Sequence, residues 1–177
     1  MNTQHNLSRR NFLQVSLGAS AFLSTVGLTA SLSGCSATAP ANGFRVLRSS
    51  DLPFLRALVP VLINGSVQPA LVPQAINDTL QCIDKGLSHL SPAMLKLTQQ
   101  LLDVLTLPLT RGPLTGVWAA WGKASNIQIQ HFLDRWQNSS LDLLRQGHAA
   151  LLQLTLMAWY STPQSWVHCG YAGPPKI

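Results

Sequence analysis

From Phe44 onward, apolar residues recur at the three- and four-residue spacing of α-helices. The clearest stripe advances by four, three, four and three residues, which places its members on one face of a helix that starts near Pro73. Its members are Ile76, Leu80, Ile83, Leu87 and Leu90. No stretch alternates between apolar and polar residues long enough to indicate a β-strand. The pattern therefore predicts an all-α fold.

Capping and helix-breaking residues divide this pattern into separate helices. Ser50 is the candidate cap of the first helix, with Asp51 in its positive first turn, and Asn64-Gly65 ends it. Ser91-Pro92 is a strong start signal for the third helix. Pro108 ends that helix, and the turn-rich residues that follow predict a connector.

The last third of the chain continues the helical pattern up to a tail of glycine and proline. Residues 127–136 predict a fifth helix, and Ser139 or Ser140 caps a sixth that reaches Tyr160. Residues 162–169 add a last turn or two, after which the tail can be neither helix nor central strand. We therefore expect a compact single-domain bundle of six or seven helices with an extended Pro-rich C-terminal tail.

The first thirty-five residues contain a paired-arginine motif, which consists of Arg9, Arg10, Phe12 and Leu13. A mildly apolar run, residues 15–33, separates this motif from Cys35. This order of features resembles a bacterial twin-arginine export signal joined to a lipobox. The resemblance implies export of a folded protein by the twin-arginine translocase, removal of residues 1–34 and a lipid anchor on Cys35. Residues 35–43 then tether the domain, 44–177, on the periplasmic side of the cell envelope.

Three features of this region and of the cysteines have alternatives that the sequence leaves open. The apolar run is also a weak candidate for a retained membrane anchor, since small polar residues interrupt it. Ala39-Pro40-Ala41 is a second candidate cleavage site, and its use would leave no lipid. In an oxidising compartment, Cys82 and Cys169 either form one disulfide or stay free.

The exported part carries few charges for its size. Without residues 1–34, ten basic residues and six aspartates remain among 143 residues, and the whole chain has no glutamate. About 11% of this part is charged, compared with roughly 25% in a typical soluble domain. A protein partner or a membrane face would cover such a surface. The basic residues form no run and are not interleaved with aromatic residues, so we expect no nucleic-acid binding.

Candidate catalytic and metal-binding groups are scarce. His131 and Asp134 lie three residues apart on one helix face, which is more typical of a local surface pair than of an active site. His168 and Cys169 are adjacent, so their side chains diverge and make a poor chelate. The sequence has neither a Gly-rich phosphate loop nor a Gly-x-Ser-x-Gly motif. We expect no catalytic residue, metal ligand or cofactor in this chain.

Aromatic residues crowd the last third of the chain. Trp136 fits a helical core, whereas others suit either a core or a partner contact, because Trp and Tyr combine a large apolar area with a polar tip. An extended tail that ends in Pro-Pro can lie across another protein at a low entropic cost. The candidate partner interface consists of Trp159, Tyr160, Trp166, Gly170, Tyr171, Gly173, Pro174 and Pro175.

Four motifs follow one another in the last third of the chain: Arg135-Trp136-x-x-Ser139, Leu144-Arg145-x-Gly147-His148-x-x-Leu151, Trp159-Tyr160-x-x-Pro163-x-x-Trp166 and Gly170-Tyr171-x-Gly173-Pro174-Pro175. Together they resemble the gluconate 2-dehydrogenase small (third) subunit family. That family includes the twin-arginine-signal companions of glucose-methanol-choline (GMC) oxidoreductases. Asp51-Leu52 and Ile83-Asp84-Lys85 fit the N-terminal half, while His148 departs from the tyrosine expected there.

The resemblance implies an accessory, non-catalytic role. Subunits of this kind bind a large FAD-carrying subunit that has no signal of its own, assist its maturation and take it through the twin-arginine translocase. Electrons then pass to a cytochrome c subunit. The FAD belongs to the partner.

Two other functions are compatible with the residues. The first is a stand-alone helical lipoprotein that binds a small apolar ligand. The second, and the weaker, is a cofactor-independent hydrolase, which needs a Ser or Asp of perturbed pKa in a pocket.

Overall fold

Seven α-helices, joined by short loops and two 3₁₀ turns, make up the part of the chain that the computed structural model describes, residues 39–173. The helices are α1 (Leu52–Leu62), α2 (Val72–Ser88), α3 (Pro92–Thr106), α4 (Pro108–Thr115), α5 (Asn126–Gln137), α6 (Asp142–Tyr160) and α7 (Pro163–Cys169). The described residues contain no strand, although an isolated bridge pairs Pro40 with Arg48. The all-α prediction is confirmed.

Several predicted sites lie outside the described residues. These are the export motif at Arg9, Arg10, Phe12 and Leu13, the lipid site at Cys35, and Pro174 and Pro175 of the tail.

Helix starts follow the local sequence in some places and tertiary contacts in others. Ser91 caps α3 as predicted, because its Oγ accepts a hydrogen bond from the Met94 backbone N–H at 3.4 Å. The prediction for Ser50 is wrong, since Asp51 occupies the cap position of α1. Neither Ser139 nor Ser140 is the cap of α6, which starts after Leu141.

Residues 109–113, predicted as a connector, instead belong to α4. Pro108 ends α3 and is also the first residue of α4, where its fixed φ is suited to a helix and its missing N–H costs nothing. Gly116 ends α4 with a φ of 80°, a left-handed conformation that glycine adopts without strain.

A row of aromatic rings joins α1 to α5 in the core. The Phe54 and Trp121 rings are 4.8 Å apart between centroids, and Phe132 lies 5.9 Å from Trp121 and 5.0 Å from Trp136. The indole N–H groups of Trp121 and Trp136 donate to backbone carbonyls at 2.8 and 2.9 Å. The core therefore buries large rings without leaving these two donors unpaired.

The segment before α1 is fixed by two buried aspartates. Asp84 on α2 accepts backbone hydrogen bonds from Arg45, Val46 and Leu47, each at 2.8 Å. The Arg48 guanidinium donates to both carboxylate oxygens of Asp51, at 3.0 and 2.9 Å. These carboxylates supply the contacts that a segment without secondary structure needs when it is buried.

The guanidinium of Arg48 also pairs with Asp103 of α3, with Nη2 2.7 Å from Oδ1. Hydrogen bonds to the two carboxylates raise the pKa of Arg48 above its ordinary value, so this buried side chain stays charged. The Asp103 side chain is 46% exposed. Its ion pair with Arg48 ties α3 to the start of α1.

A disulfide between Cys82 and Cys169 is absent, since both cysteines are free. Cys82 is half-buried on α2, and Cys169 is exposed at the end of α7. Of the two alternatives for this pair, the structure has the free thiols.

Among the helices of residues 39–173, none combines the length and the apolar character that crossing a membrane requires.

Candidate functional site: an apolar groove between three helices

Helices α2, α3 and α6 line an apolar groove of about 720 Å³, here called the α2–α3–α6 groove. Helix α3 buries Leu102 and Leu105 near its C-terminal end, whereas Met94 and Leu97 nearer its start are 52% and 59% exposed. The N-terminal half of α3 therefore forms one wall of the groove, with Met157 of α6 also on the lining and 67% exposed. The volume lies within the range of about 300–1,000 Å³ that is usual for ligand pockets.

The side chains that line the groove are mostly aliphatic. Lys85 of α2 and His89, which follows the end of that helix, lie on the lining, together with the Cys82 thiol and the polar groups of Thr98, Gln153 and Ser161, and no aspartate does. His89 donates from Nδ1 to the carbonyl oxygen of Lys85 at 2.6 Å, which orients the imidazole. The groove is therefore an apolar surface with one positive charge, that of Lys85 on α2.

Methionine and glycine give this surface two further properties. The chain has three methionines, and apart from Met1 both of them, Met94 and Met157, line the groove. Methionine side chains adapt to differently shaped occupants. A Cβ added at Gly86 would meet nothing within 4 Å, so the backbone of α2 is open to the groove at this point.

The titratable candidates named from the sequence do not come together as a metal site. No group of three or more His, Cys, Asp or Glu side chains in this part of the chain is arranged to hold a metal ion. His131 and Asp134 are both exposed on α5. His148 is buried, and burial lowers its pKa while the Asp134 carboxylate opposes that effect. Ser88 Oγ lies 3.3 Å from Nδ1 of His89, but the same nitrogen donates to the carbonyl oxygen of Lys85, so it cannot also act as a base toward the hydroxyl.

The described residues of the predicted interface form a second feature at the C-terminal end. The Trp166 indole N–H donates to the carbonyl oxygen of Tyr160 at 2.9 Å, and the Tyr171 ring packs edge-on against Trp166 with centroids 5.7 Å apart. Gly170 takes a left-handed φ of 67°, and the chain turns so that the Tyr171 N–H reaches the Trp166 carbonyl. Gly173 lies against the same indole ring.

The tail cluster, defined as Tyr160, Trp166, Gly170, Tyr171 and Gly173, stays a predicted partner surface. Tyr160 and Tyr171 are exposed, and Trp166 is half-buried. The prediction that Trp159 belongs to the partner interface is wrong, because this residue lies in the core at 1% exposure. Residues three and four apart on a helix share a face, whereas adjacent ones do not, so Tyr160 faces outward while Trp159 faces inward.

The groove was not predicted from the sequence. Leu97, which continues the apolar pattern of α3, is exposed at the groove. The sequence does contain one signal for the groove: α3 has more apolar residues than one buried face of a helix in a small bundle can hold. This excess indicates that α3 has a second apolar face, but it does not show which helices lie beside that face.

Comparison with known proteins adds no assignment: the chain matches no protein-family model, no curated protein and no solved structure.

Proposed function

We propose that this protein is a non-catalytic small subunit of an envelope FAD-dependent dehydrogenase of the GMC type, acting on an alcohol or a sugar. In this proposal it binds the large flavoprotein subunit, assists its maturation and carries it through the twin-arginine translocase. The electrons released by the flavin pass to a cytochrome c subunit, and this chain holds no cofactor. Two lines of support lead to this proposal: the resemblance of the sequence motifs to the family, and the exposed apolar surface of the fold.

The observation that carries the proposal is the number of large apolar side chains left in water. Six of them, drawn from different parts of the fold, are each at least 67% exposed: Leu109, Trp118, Ile127, Leu143, Met157 and Val167. Single exposed apolar residues are ordinary, but this number on a surface with so few charges is typical of a chain that is covered by a partner. A large second subunit would remove this area from water.

The export signal, the lipid site and the tail complete the proposal. The twin-arginine motif is suited to a subunit that leaves the cytoplasm already bound to a folded partner, and a lipid on Cys35 would hold the complex at the membrane on the periplasmic side. The exposed rings of Tyr160 and Tyr171 give the tail cluster a rigid aromatic contact surface.

Replacement of both Arg9 and Arg10 by Lys tests the carrier role. We expect the variant to leave this chain and its flavoprotein together in the cytoplasm, as measured by fractionation and immunoblotting of both. A matched double substitution of Arg45 and Arg56, which lie outside the signal, should leave export intact. Continued export of the flavoprotein with the Arg9 and Arg10 variant would contradict the proposal.

The α2–α3–α6 groove favours one second candidate, a stand-alone lipoprotein that binds a small apolar ligand. Its volume of about 720 Å³ and its aliphatic lining suit such a ligand. Expression without any partner separates the two functions. A ligand binder would be a soluble monomer, whereas an orphan subunit would aggregate or be degraded.

A further inference from the structure

We propose that the α2–α3–α6 groove is the docking site for an amphipathic helix of the flavoprotein subunit, with carboxylates on that helix facing Lys85. This inference rests on the proposed function and adds to it the place and chemistry of the contact. Three observations on the groove carry it: the exposure of its rim, the sign of its charge and the opening at Gly86.

The rim of the groove requires a wide occupant. Met94 and Leu97 on one side and Met157 on the other are all more than half exposed. A narrow acyl chain on the floor would leave these three side chains in water. A helix with its side chains is about 10–12 Å across, so it covers the floor and both rims at once.

The charge of the groove favours acidic side chains on the flank of that helix. Lys85 lies on the α2 wall, and no carboxylate in the described residues lines the groove to neutralise it. Acidic side chains beside the apolar stripe of the partner helix would complement this wall, whereas basic ones would be repelled.

The opening at Gly86 sets how closely the helix approaches. A Cβ at this position would meet no atom within 4 Å, so the α2 backbone presents open space where a partner side chain can enter. The lining of α2 extends from Cys82 to Leu87, which at 1.5 Å per residue is about 7.5 Å, and His89 and Leu90 continue this wall beyond the end of the helix, so it accommodates more than one turn of the partner helix.

A peptide-binding experiment with the full 177-residue chain, immobilised at low density so that the isolated chain does not aggregate, tests the chemistry. The probe is a synthetic helix of about 14 residues with Leu at i, i+3, i+4 and i+7 and Glu on its flanks. Matched peptides carry Lys on the flanks or a scrambled order of the same residues, and dodecanoate is the small apolar competitor. We expect the Glu peptide to bind at least about tenfold more tightly than either matched peptide. Equal binding of the three peptides, no binding, or binding of dodecanoate alone would overturn the proposal.

Two substitutions then place the binding site. Leu97→Asp puts a like charge on the rim, and we expect it to weaken Glu-peptide binding at least about tenfold. Leu143→Asp is the matched control, because Leu143 is also exposed but does not line the groove. The Leu143→Asp protein should bind the Glu peptide with the affinity of the wild type. Equal weakening by both would overturn the location.

Co-purification with the flavoprotein separates failure of this inference from failure of the proposed function. We expect Leu97→Asp to weaken the complex with the flavoprotein. Leu143→Asp should weaken it less than Leu97→Asp does. If the wild type and Leu97→Asp bind the flavoprotein equally well, the groove is not the docking site, while the accessory role stands. Absence of a complex with the wild-type chain would contradict both.

Discussion

The Asp84 carboxylate holds the backbone of Leu47 in the core, with Oδ1 2.8 Å from the Leu47 amide nitrogen. The two residues are 37 positions apart, and both are buried. Arg45 and Val46 donate to the same carboxylate, so one side chain satisfies three consecutive backbone donors. The start of the domain is therefore attached to α2 through a single aspartate.

Asp84→Ala should lower the free energy of unfolding by about 3 kcal/mol or more, because it leaves these three backbone donors without their acceptor. Urea denaturation followed by circular dichroism measures the effect. Asp84→Asn is the control, since it keeps the shape and one acceptor oxygen, and it should cost less. Equal stability of Asp84→Ala and the wild type would show that water replaces the carboxylate.

Two helix glycines give a second, opposed pair of predictions. A Cβ at Gly147 would lie 2.6 Å from Cζ3 of the buried Trp136 ring, so Gly147→Ala should destabilise the fold by about 1–3 kcal/mol. Gly86→Ala places its methyl group in open space, and it should stabilise α2 by about 0.5–1 kcal/mol. Thermal unfolding of both variants compares them directly. A loss of stability at both positions, or at neither, would be inconsistent with this packing.

His148 predicts a pH dependence of stability. Burial lowers its pKa in the folded state below the ordinary 6.5, so the unfolded chain takes up a proton first as the pH falls. The free energy of unfolding should therefore decrease as the pH drops through about 6.5 and level off below the folded-state pKa. His148→Gln, measured by urea denaturation over the same range, should lose this component. An identical pH profile for the variant and the wild type would refute the assignment to His148.

Helix positions were largely predictable because their signals are local. The stripe that contains Leu80, Ile83 and Leu87 placed α2 correctly, and Ser91 marked the start of α3. Helix α4 was missed because Pro108 serves both as the end of one helix and as the first residue of the next, and only its tertiary neighbours distinguish these roles. The Ser125–Gln128 capping box of α5 is a local signal that the sequence reading overlooked.

The groove and the buried aspartates were not predictable in the same way. The sequence places Asp84 on the α2 helix, but its contact with residues 45–47 depends on how the chain folds back on that helix. Trp159 and Tyr160 are adjacent in sequence and differ only in the face they occupy, which composition does not reveal. Tertiary arrangement decides each of these features.

The most direct test of the proposed accessory role is to purify the 177-residue chain alone and together with the proposed signal-less large flavoprotein, and to measure the mass of each product by light scattering. The account predicts a soluble complex of the two chains that carries FAD, and an isolated chain that aggregates or is degraded. A stable monomer that does not associate with the flavoprotein would contradict it.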